Sequence, residues 1–401
     1  MTDPSDRVKI QVRNLSKVFG SNPARALEMR NSGMGRPEIF EKTGQTLALS
    51  NINFDVYEGE LLVIMGLSGS GKSTLIRCLN RLINPTEGDI LIDGENIAKM
   101  SDRDLLEARR RHFSMVFQNF ALFPHRTVRQ NAEFGLEVRG MARAERAEIA
   151  AQALEQVGLK GWEDAYPHQL SGGMQQRVGL ARALANDGSV LLMDEAFSAL
   201  DPLIRKDMQQ EVQELQYHTK KTTIFITHDL DEALNIGDRI ILLKDGEIVQ
   251  EGTPEDILTN PADDYVRRFI EGVDKARVLT AQSAMRPVRA TAREGDGPRT
   301  VLRKMSENGL DSIYITTRDR RLLGLVEAPT VDAAIREKKE SLVDLIDADV
   351  PTVGPDEPLN TLFGMLSSRS VPVAVVDDHD RLLGVVVKGA VLDELAKAGE
   401  Q

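Results

Sequence analysis

The chain has one cysteine, Cys78, and one tryptophan, and aromatic residues make up 4% of its 401 positions. A single cysteine excludes an internal disulfide and suits a reducing compartment. Cys78 lies in an apolar helical stretch, which favours a buried structural thiol over a reactive one. Long apolar runs are missing as well. No window approaches the roughly 18 continuous apolar residues that span a bilayer, so work at a membrane would need another chain to hold this one there. The opening MTDPSDRVKI has no apolar core and is not expected to be a secretory signal. Basic residues are outnumbered, 50 Lys and Arg against 62 Asp and Glu. The resulting formal net charge of −12 argues against nucleic acid as the main partner.

What is present is a globular mixture, 41% hydrophobic and 28% charged, long enough for two or three domains. The run Leu61–Met65 reads as a buried parallel strand. It leads into Gly66-Leu-Ser-Gly-Ser-Gly71-Lys72-Ser73, the full G-x-x-x-x-G-K-S pattern, and then into a helix. The glycines let the backbone wrap a phosphate closely, and the amides and helix N-terminus favour its charge. Lys72 is placed to reach the β- and γ-phosphates of ATP and the Ser73 hydroxyl to ligate Mg²⁺. The candidate ATP contacts here are Gly66, Ser68, Gly69, Ser70, Gly71, Lys72, Ser73 and Thr74.

A second apolar strand, Val190–Met193, ends in Asp194-Glu195. Asp194 can hold Mg²⁺ through water, and Glu195 then stands where it can orient or deprotonate the attacking water. Before it, LSGGMQQRVGLARAL carries Met174, Val178, Ala181 and Ala185 at helical spacing, so Ser171, Gly172 and Gly173 open a helix and form a second phosphate cradle. One nucleotide does not need two cradles from one subunit. The simplest arrangement is a head-to-tail homodimer in which each cradle completes the other subunit's ATP site.

Together these motifs resemble the ATP-binding cassette (ABC) family, over about Val8 to Gly252. The resemblance rests on the phosphate loop, Leu170–Gln175, Asp194-Glu195, Ser198–Asp201 (SALD) and Thr227–Asp229 (THD). It implies roles for four further residues. Gln118, in MVFQNF, would sense Mg²⁺ and water and link to a membrane partner. His228 would contact the γ-phosphate, Asp201 would sit at the subunit contact, and Phe19 would stack on adenine. Glu195, His228 and Gln118 are thus the candidate catalytic residues, and Ser73, Gln118 and Asp194 the metal set. The other histidines show no shared metal-ligand spacing.

Three features narrow the class. Residues from about 119 to 170 read as a helical subdomain, and NFALFPHRTVRQN at its start suits a docking groove for a membrane subunit's helix. Residues 21–46 interrupt the early strands, and Pro23 and Pro37 suit first helical turns, which predicts an inserted helical pair. The insertion, with LLMDEAFSALDPLIR and YPHQLSGGMQQRVGLARAL, resembles the ATPase subunits of glycine betaine, proline betaine and choline importers. That resemblance implies integral membrane permease subunits, an extracytoplasmic substrate-binding protein, and a place on the cytoplasmic face of the inner (plasma) membrane. Import of another solute such as an amino acid, and a non-transport cytosolic ABC ATPase, are the alternatives. The latter usually carries two cassettes or long coiled-coil inserts, and this chain has neither.

The third feature is a repeat. A 60-residue shift aligns Val301–Val326 with Thr361–Val386 without a gap, and RLLG recurs at Arg321–Gly324 and Arg381–Gly384. Each copy reads as a short helix, a strand, a polar turn and a second strand, and two such units should pack together. The pattern resembles a tandem of cystathionine-β-synthase (CBS) domains. Members that bind adenosine nucleotides usually place an aspartate six residues after the second-strand glycine. Here Thr330 and Ala390 stand there, so the usual ribose contact is missing; the open alternatives are a cyclic dinucleotide at the module interface, ionic strength as the input, and a purely structural, dimer-stabilising tail. The expected fold is α/β: an ABC-type P-loop NTPase over 1–278, a RecA-like core with antiparallel β and helical subdomains, then α+β CBS-like repeats over 279–340 and 341–401.

Overall fold

The computed structural model describes residues 7–271, 276, 278–368 and 371–400, with the side chains of 217, 218, 367, 368 and 396–400 left undescribed. The chain divides into two units, residues 1–271 and 272–401. The boundary therefore falls earlier than the expected 278.

The first unit opens with β1 (Val8–Phe19), the helices α1 (Pro23–Asn31) and α2 (Arg36–Thr43), β2 (Thr46–Tyr57), β3 (Leu61–Met65) and α3 (Lys72–Leu79). Next come β4 (Glu87–Ile92), β5 (Glu95–Asn96), α4 (Asp102–His112), β6 (Phe113–Val116), α5 (Val128–Ala132), α6 (Phe134–Val138), α7 (Arg143–Gln156) and α8 (Gly172–Ala185). It closes with β7 (Val190–Asp194), α9 (Pro202–Thr219), β8 (Thr222–Thr227), α10 (Leu230–Ile236), β9 (Arg239–Lys244), β10 (Glu247–Gly252), α11 (Pro254–Thr259) and α12 (Asp264–Phe269).

Two sheets result. One has the order β10-β9-β3-β8-β7-β6, parallel from β9 to β6, with β10 antiparallel at the edge. Every residue of β3, β7 and β8 is buried, as a parallel sheet covered on both faces requires. The other, antiparallel and ordered β2-β1-β4-β5, mixes buried and open positions along β1, whose register with β2 shifts at several points. A core running through Ile10, Leu49, Ile64, Leu75, Leu192 and Ile226 joins the two sheets. Residues 23–43 form a helical pair packed on Val18 and Leu47 through Ala26 and Ile39. The helical region does not stop at 170, because α8 packs against α5 and α7.

The second unit holds α13 (Ala281–Ala284), then β11 (Thr291–Arg293), α14 (Pro298–Asn308), β12 (Ser312–Thr316), β13 (Leu322–Glu327) and α15 (Ala328–Arg336). The series then recurs as β14 (Thr352–Val353), α16 (Leu359–Ser368), β15 (Val373–Val376), β16 (Leu382–Val386) and α17 (Lys388–Glu400). Each copy has a three-stranded sheet with one parallel and one antiparallel pair, so each carries a leading strand and a trailing helix beyond the helix–strand–strand pattern. The polar turns lack glycine, and Arg320 (φ 66°) and Asp380 (φ 58°) take up the left-handed conformation there.

The copies are not the contiguous blocks 279–340 and 341–401. Leu279, Ala281 and Ala284 fill the core of the second copy, and Leu342, Leu345 and Ile346 pack into that of the first. The backbone of Arg286 bridges Val385, and that of Asp347 bridges Leu325. Each copy thus lends its leading segment to the other. The two RLLG stretches meet directly, with Leu322 N–H donating to Asp380 and Leu382 N–H to Arg320, and Tyr314, Leu325, Ala374 and Leu382 form an apolar seam between the copies.

Candidate nucleotide site

The site grows from the ends of parallel strands. β3 runs into the loop Gly66–Gly71, and Gly71 (φ 109°) starts α3. A Cβ on Gly66 (φ 154°) would overlap the Leu243 carbonyl oxygen at the end of the neighbouring β9, so only glycine fits there. Ser70 is buried and its hydroxyl has no hydrogen-bond partner among the described residues.

Lys72 is buried at the base of the loop, where Nζ donates to the carbonyls of Gly66 (2.8 Å) and Leu67 (3.2 Å). Burial pushes its pKa down, opposed by Glu195 and Asp194. Glu195 Oε1 lies 3.9 Å from Lys72 Nζ. Ser73 Oγ donates to Asp194 Oδ1 at 3.1 Å, and Arg77 reaches the other oxygen of Asp194 at 3.5 Å. A hydroxyl and a buried carboxylate side by side form a hard oxygen donor set that fits Mg²⁺.

Glu195 is the hub. Its backbone is left-handed (φ 46°) just past β7, and its N–H donates to the Ile226 carbonyl of β8. Gln118 Nε2 donates to Glu195 Oε2 (3.3 Å) and to Ser198 Oγ (3.2 Å). His228 Nδ1 stands 3.4 Å from the same carboxylate oxygen. His228 is exposed at the end of β8, and Asp229 caps the helix that follows. Beneath it, Thr227 donates to Glu232, and Gln209 donates to the same carboxylate. Burial raises the Glu232 pKa.

Lys72, Ser73, Gln118, Asp194, Glu195 and His228 therefore share one site. Ser171 caps α8 by accepting from Met174 N–H, with Gly172 beside Leu200 and Phe120 and Gly173 against Ile204. Neither glycine has the phosphate loop among its nearest neighbours. Asp201 is exposed at the start of α9. Phe19 ends β1 opposite Thr46, 42% exposed, with Lys17 Nζ 4.9 Å from its ring centre, so it is not a core aromatic. Gln118 meets the Glu195 side of the site through its amide nitrogen, while Ser73 and Asp194 pair with each other.

Sequence reasoning gave no role to Ser198, which accepts from Gln118 and donates to the Glu195 carbonyl. Its place in SALD was the available signal. It also missed Leu243 and Gly246 behind the loop, where Gly246 N–H donates to the Ser70 carbonyl. The signal for these was the KDGE turn after an apolar strand.

A parallel sheet with a phosphate loop, an acidic pair on the adjoining strand series and a capped glycine cradle defines an ATP-binding cassette ATPase. The family model for ABC transporters matches residues 49–198, and that for CBS domains matches 342–397. The chain is 50% identical over 388 residues, 97% of itself and 98% of the relative, to the glycine betaine/carnitine transport ATP-binding protein GbuA of Listeria monocytogenes. It is 46% identical, covering 98% of both chains, to the glycine betaine/proline betaine transport ATP-binding protein ProV of Escherichia coli. Among solved structures, a post-hydrolysis dimer of the cassette MJ0796 bound to ADP and phosphate is 35% identical with a TM-score of 0.52, over 61% of this chain and 98% of that one. The chain belongs to the ABC transporter ATP-binding proteins of the quaternary-amine osmoprotectant class, ATP hydrolases coupled to transport, and carries CBS domains at its C-terminus.

Proposed function

We propose that the chain powers import of glycine betaine, proline betaine or choline-type osmoprotectants as a homodimer on the cytoplasmic face of the inner (plasma) membrane. Integral permease subunits and an extracytoplasmic binding protein would complete the importer. Among the described residues no helix is long and apolar enough to cross a membrane, in keeping with a permease that supplies the spans. The observation that carries the catalytic part is the convergence of Lys72, Gln118 and His228 on Glu195.

In this reading Phe19 stacks on adenine, and the amides of Gly66–Gly71 with Lys72 cradle the phosphates. Ser73 and Asp194, with Gln118 Oε1, would hold Mg²⁺, which when bound neutralises phosphate charge. Glu195 accepts a proton from the attacking water, while Gln118 and His228 fix its carboxylate and the water's approach. Ser171, Gly172 and Gly173 of the partner subunit close on the γ-phosphate, and Asp201 lies at the subunit contact. ATP binds the closed dimer better than the open one, and that difference is the work available to the permease. The CBS tandem takes a regulatory input, a cyclic dinucleotide or ionic strength; Thr330 on α15 and Ala390 on α17 lack the ribose-binding carboxylate.

Light scattering of Glu195→Gln with MgATP tests the two-subunit site. A dimer that disperses without nucleotide is expected. An ATP-loaded monomer would overturn it.

A further inference from the structure

His228 Nδ1 stands 3.4 Å from the Glu195 carboxylate, yet the His228 side chain is 57% exposed, so packing does not hold it there. Its place is set by the backbone on either side. One hydroxyl grips both flanks. Thr227, the buried last residue of β8, accepts from the Asp229 N–H at 3.0 Å through Oγ1 and donates from the same atom to Glu232 Oε2. Asp229 Oδ1 in turn accepts from the Glu232 N–H at 3.2 Å.

Glu232 is buried on α10. A carboxylate taken out of water is costly unless its oxygens are bonded, and here both are. Oε2 accepts from Thr227, and Oε1 accepts from Gln209 Nε2 at 3.0 Å. Gln209 belongs to α9, and Arg205 lies one turn before it, so the two share a face of that helix. Arg205 Nη1 donates to Asp229 Oδ2 and Nη2 to the Leu200 carbonyl, each at 3.3 Å. The Arg205 N–H donates to the Asp201 carbonyl at 2.8 Å. One face of α9 thus holds Asp229 and Glu232 and is bonded at its start to Leu200 and Asp201.

We propose that Thr227 and Glu232 are positioning residues for hydrolysis: their bond fixes the Thr227–Asp229 segment so that His228 meets Glu195, and Gln209 and Arg205 anchor that segment to α9. This rests on reading His228 and Glu195 as parts of the hydrolytic site. The same helix face then carries both the His228 segment and Asp201, the residue assigned to the subunit contact.

Single-turnover hydrolysis by the full chain with MgATP tests this, beside equilibrium ATP binding and Tm. Thr227→Val keeps the branched shape and removes the hydroxyl. It should slow hydrolysis about tenfold with ATP affinity within about twofold, since a misplaced group costs rate before it costs binding. Thr227→Ser returns the hydroxyl and should recover most of that rate. In a His228→Ala background Thr227→Val should slow hydrolysis no further, because residues that act through one group are not additive. Unaltered hydrolysis in Thr227→Val beside a slowed His228→Ala overturns this proposal alone. So does a full further loss in the His228→Ala background, which would mark a general loosening of the fold. Wild-type hydrolysis in His228→Ala removes the reading of His228 itself, and the proposal with it. If Thr227→Val does not fold, Gln209→Ala takes its place, with a loss of about threefold expected alone and none in the His228→Ala background.

Discussion

The side-chain amide of Gln118 donates to the Glu195 carboxylate at 3.3 Å. The bond joins the loop after β6 to the end of β7, so the orientation of the proposed base depends on a residue at the edge of the helical region. Gln118→Ala should lower kcat at least tenfold while leaving ATP affinity within about threefold, since an aligned base contributes about 10²–10⁴ to rate. Single-turnover hydrolysis beside equilibrium nucleotide binding separates the two effects. Equal losses in both would place Gln118 in binding instead.

Lys72 supplies the buried cation of the site, and removing it leaves Glu195 and Asp194 facing the phosphates without compensation. Lys72→Ala should weaken ATP binding by at least 100-fold, measured by titration calorimetry. The fold should survive, because Lys72 bonds only to carbonyls of its own loop among the hydrogen bonds described.

The phosphate loop and the acidic strand end were legible in the sequence because each is contiguous: glycines, lysine and serine occupy adjacent positions and act together whatever surrounds them. The tandem was legible only as two copies. The exchange of leading segments depends on bridges between Arg286 and Val385 and between Asp347 and Leu325, which no local pattern announces. β14 is two residues long, too short for a period of two to show. Gly324 carries a trace of the exchange. Its φ of 150° and the Asp347 carbonyl against it explain why the first RLLG ends in glycine; at Gly384 the reason is space alone, since a Cβ there would overlap the Met285 side chain and press on the Arg286 carbonyl.

Substituting that glycine should therefore loosen the tandem. Gly324→Val would overlap the Asp347 carbonyl and force an unfavourable backbone, and should destabilise the second unit by roughly 2–4 kcal/mol. Calorimetry should show the lower stability, with ATP hydrolysis by the first unit intact. An unchanged unfolding profile would contradict the packing described.

His112 gives stability a pH dependence. Its Nε2 accepts from Arg111 at 2.9 Å, leaving Nδ1 to carry the proton toward Ser189 Oγ (3.2 Å) and Asp93 (3.6 Å). Burial, then Arg111 and Lys9, hold its pKa below 6.5 against the pull of Asp93 and Glu95. The unfolded chain therefore binds the proton first. The contribution to stability is full above about 6.5 and is lost as pH falls through the lower folded value. Urea unfolding between pH 7.5 and 5 should show this decline, and His112→Gln should flatten it.

Burial of Cys78 raises its thiol to about 12, so it should resist alkylation at pH 8 in the native chain and react once unfolded. Mass spectrometry after iodoacetamide treatment, with and without urea, reads this out. Labelling of the native chain at the unfolded rate would contradict the burial.

The most direct measurement is uptake of radiolabelled glycine betaine, proline betaine and choline by vesicles reconstituted with the chain, its permease and its binding protein, with ATP inside and internal salt varied. The account predicts ATP-dependent accumulation of at least one of these solutes, abolished by Glu195→Gln. Accumulation that persists in Glu195→Gln, or ATP hydrolysis with none of the three solutes transported, would contradict it.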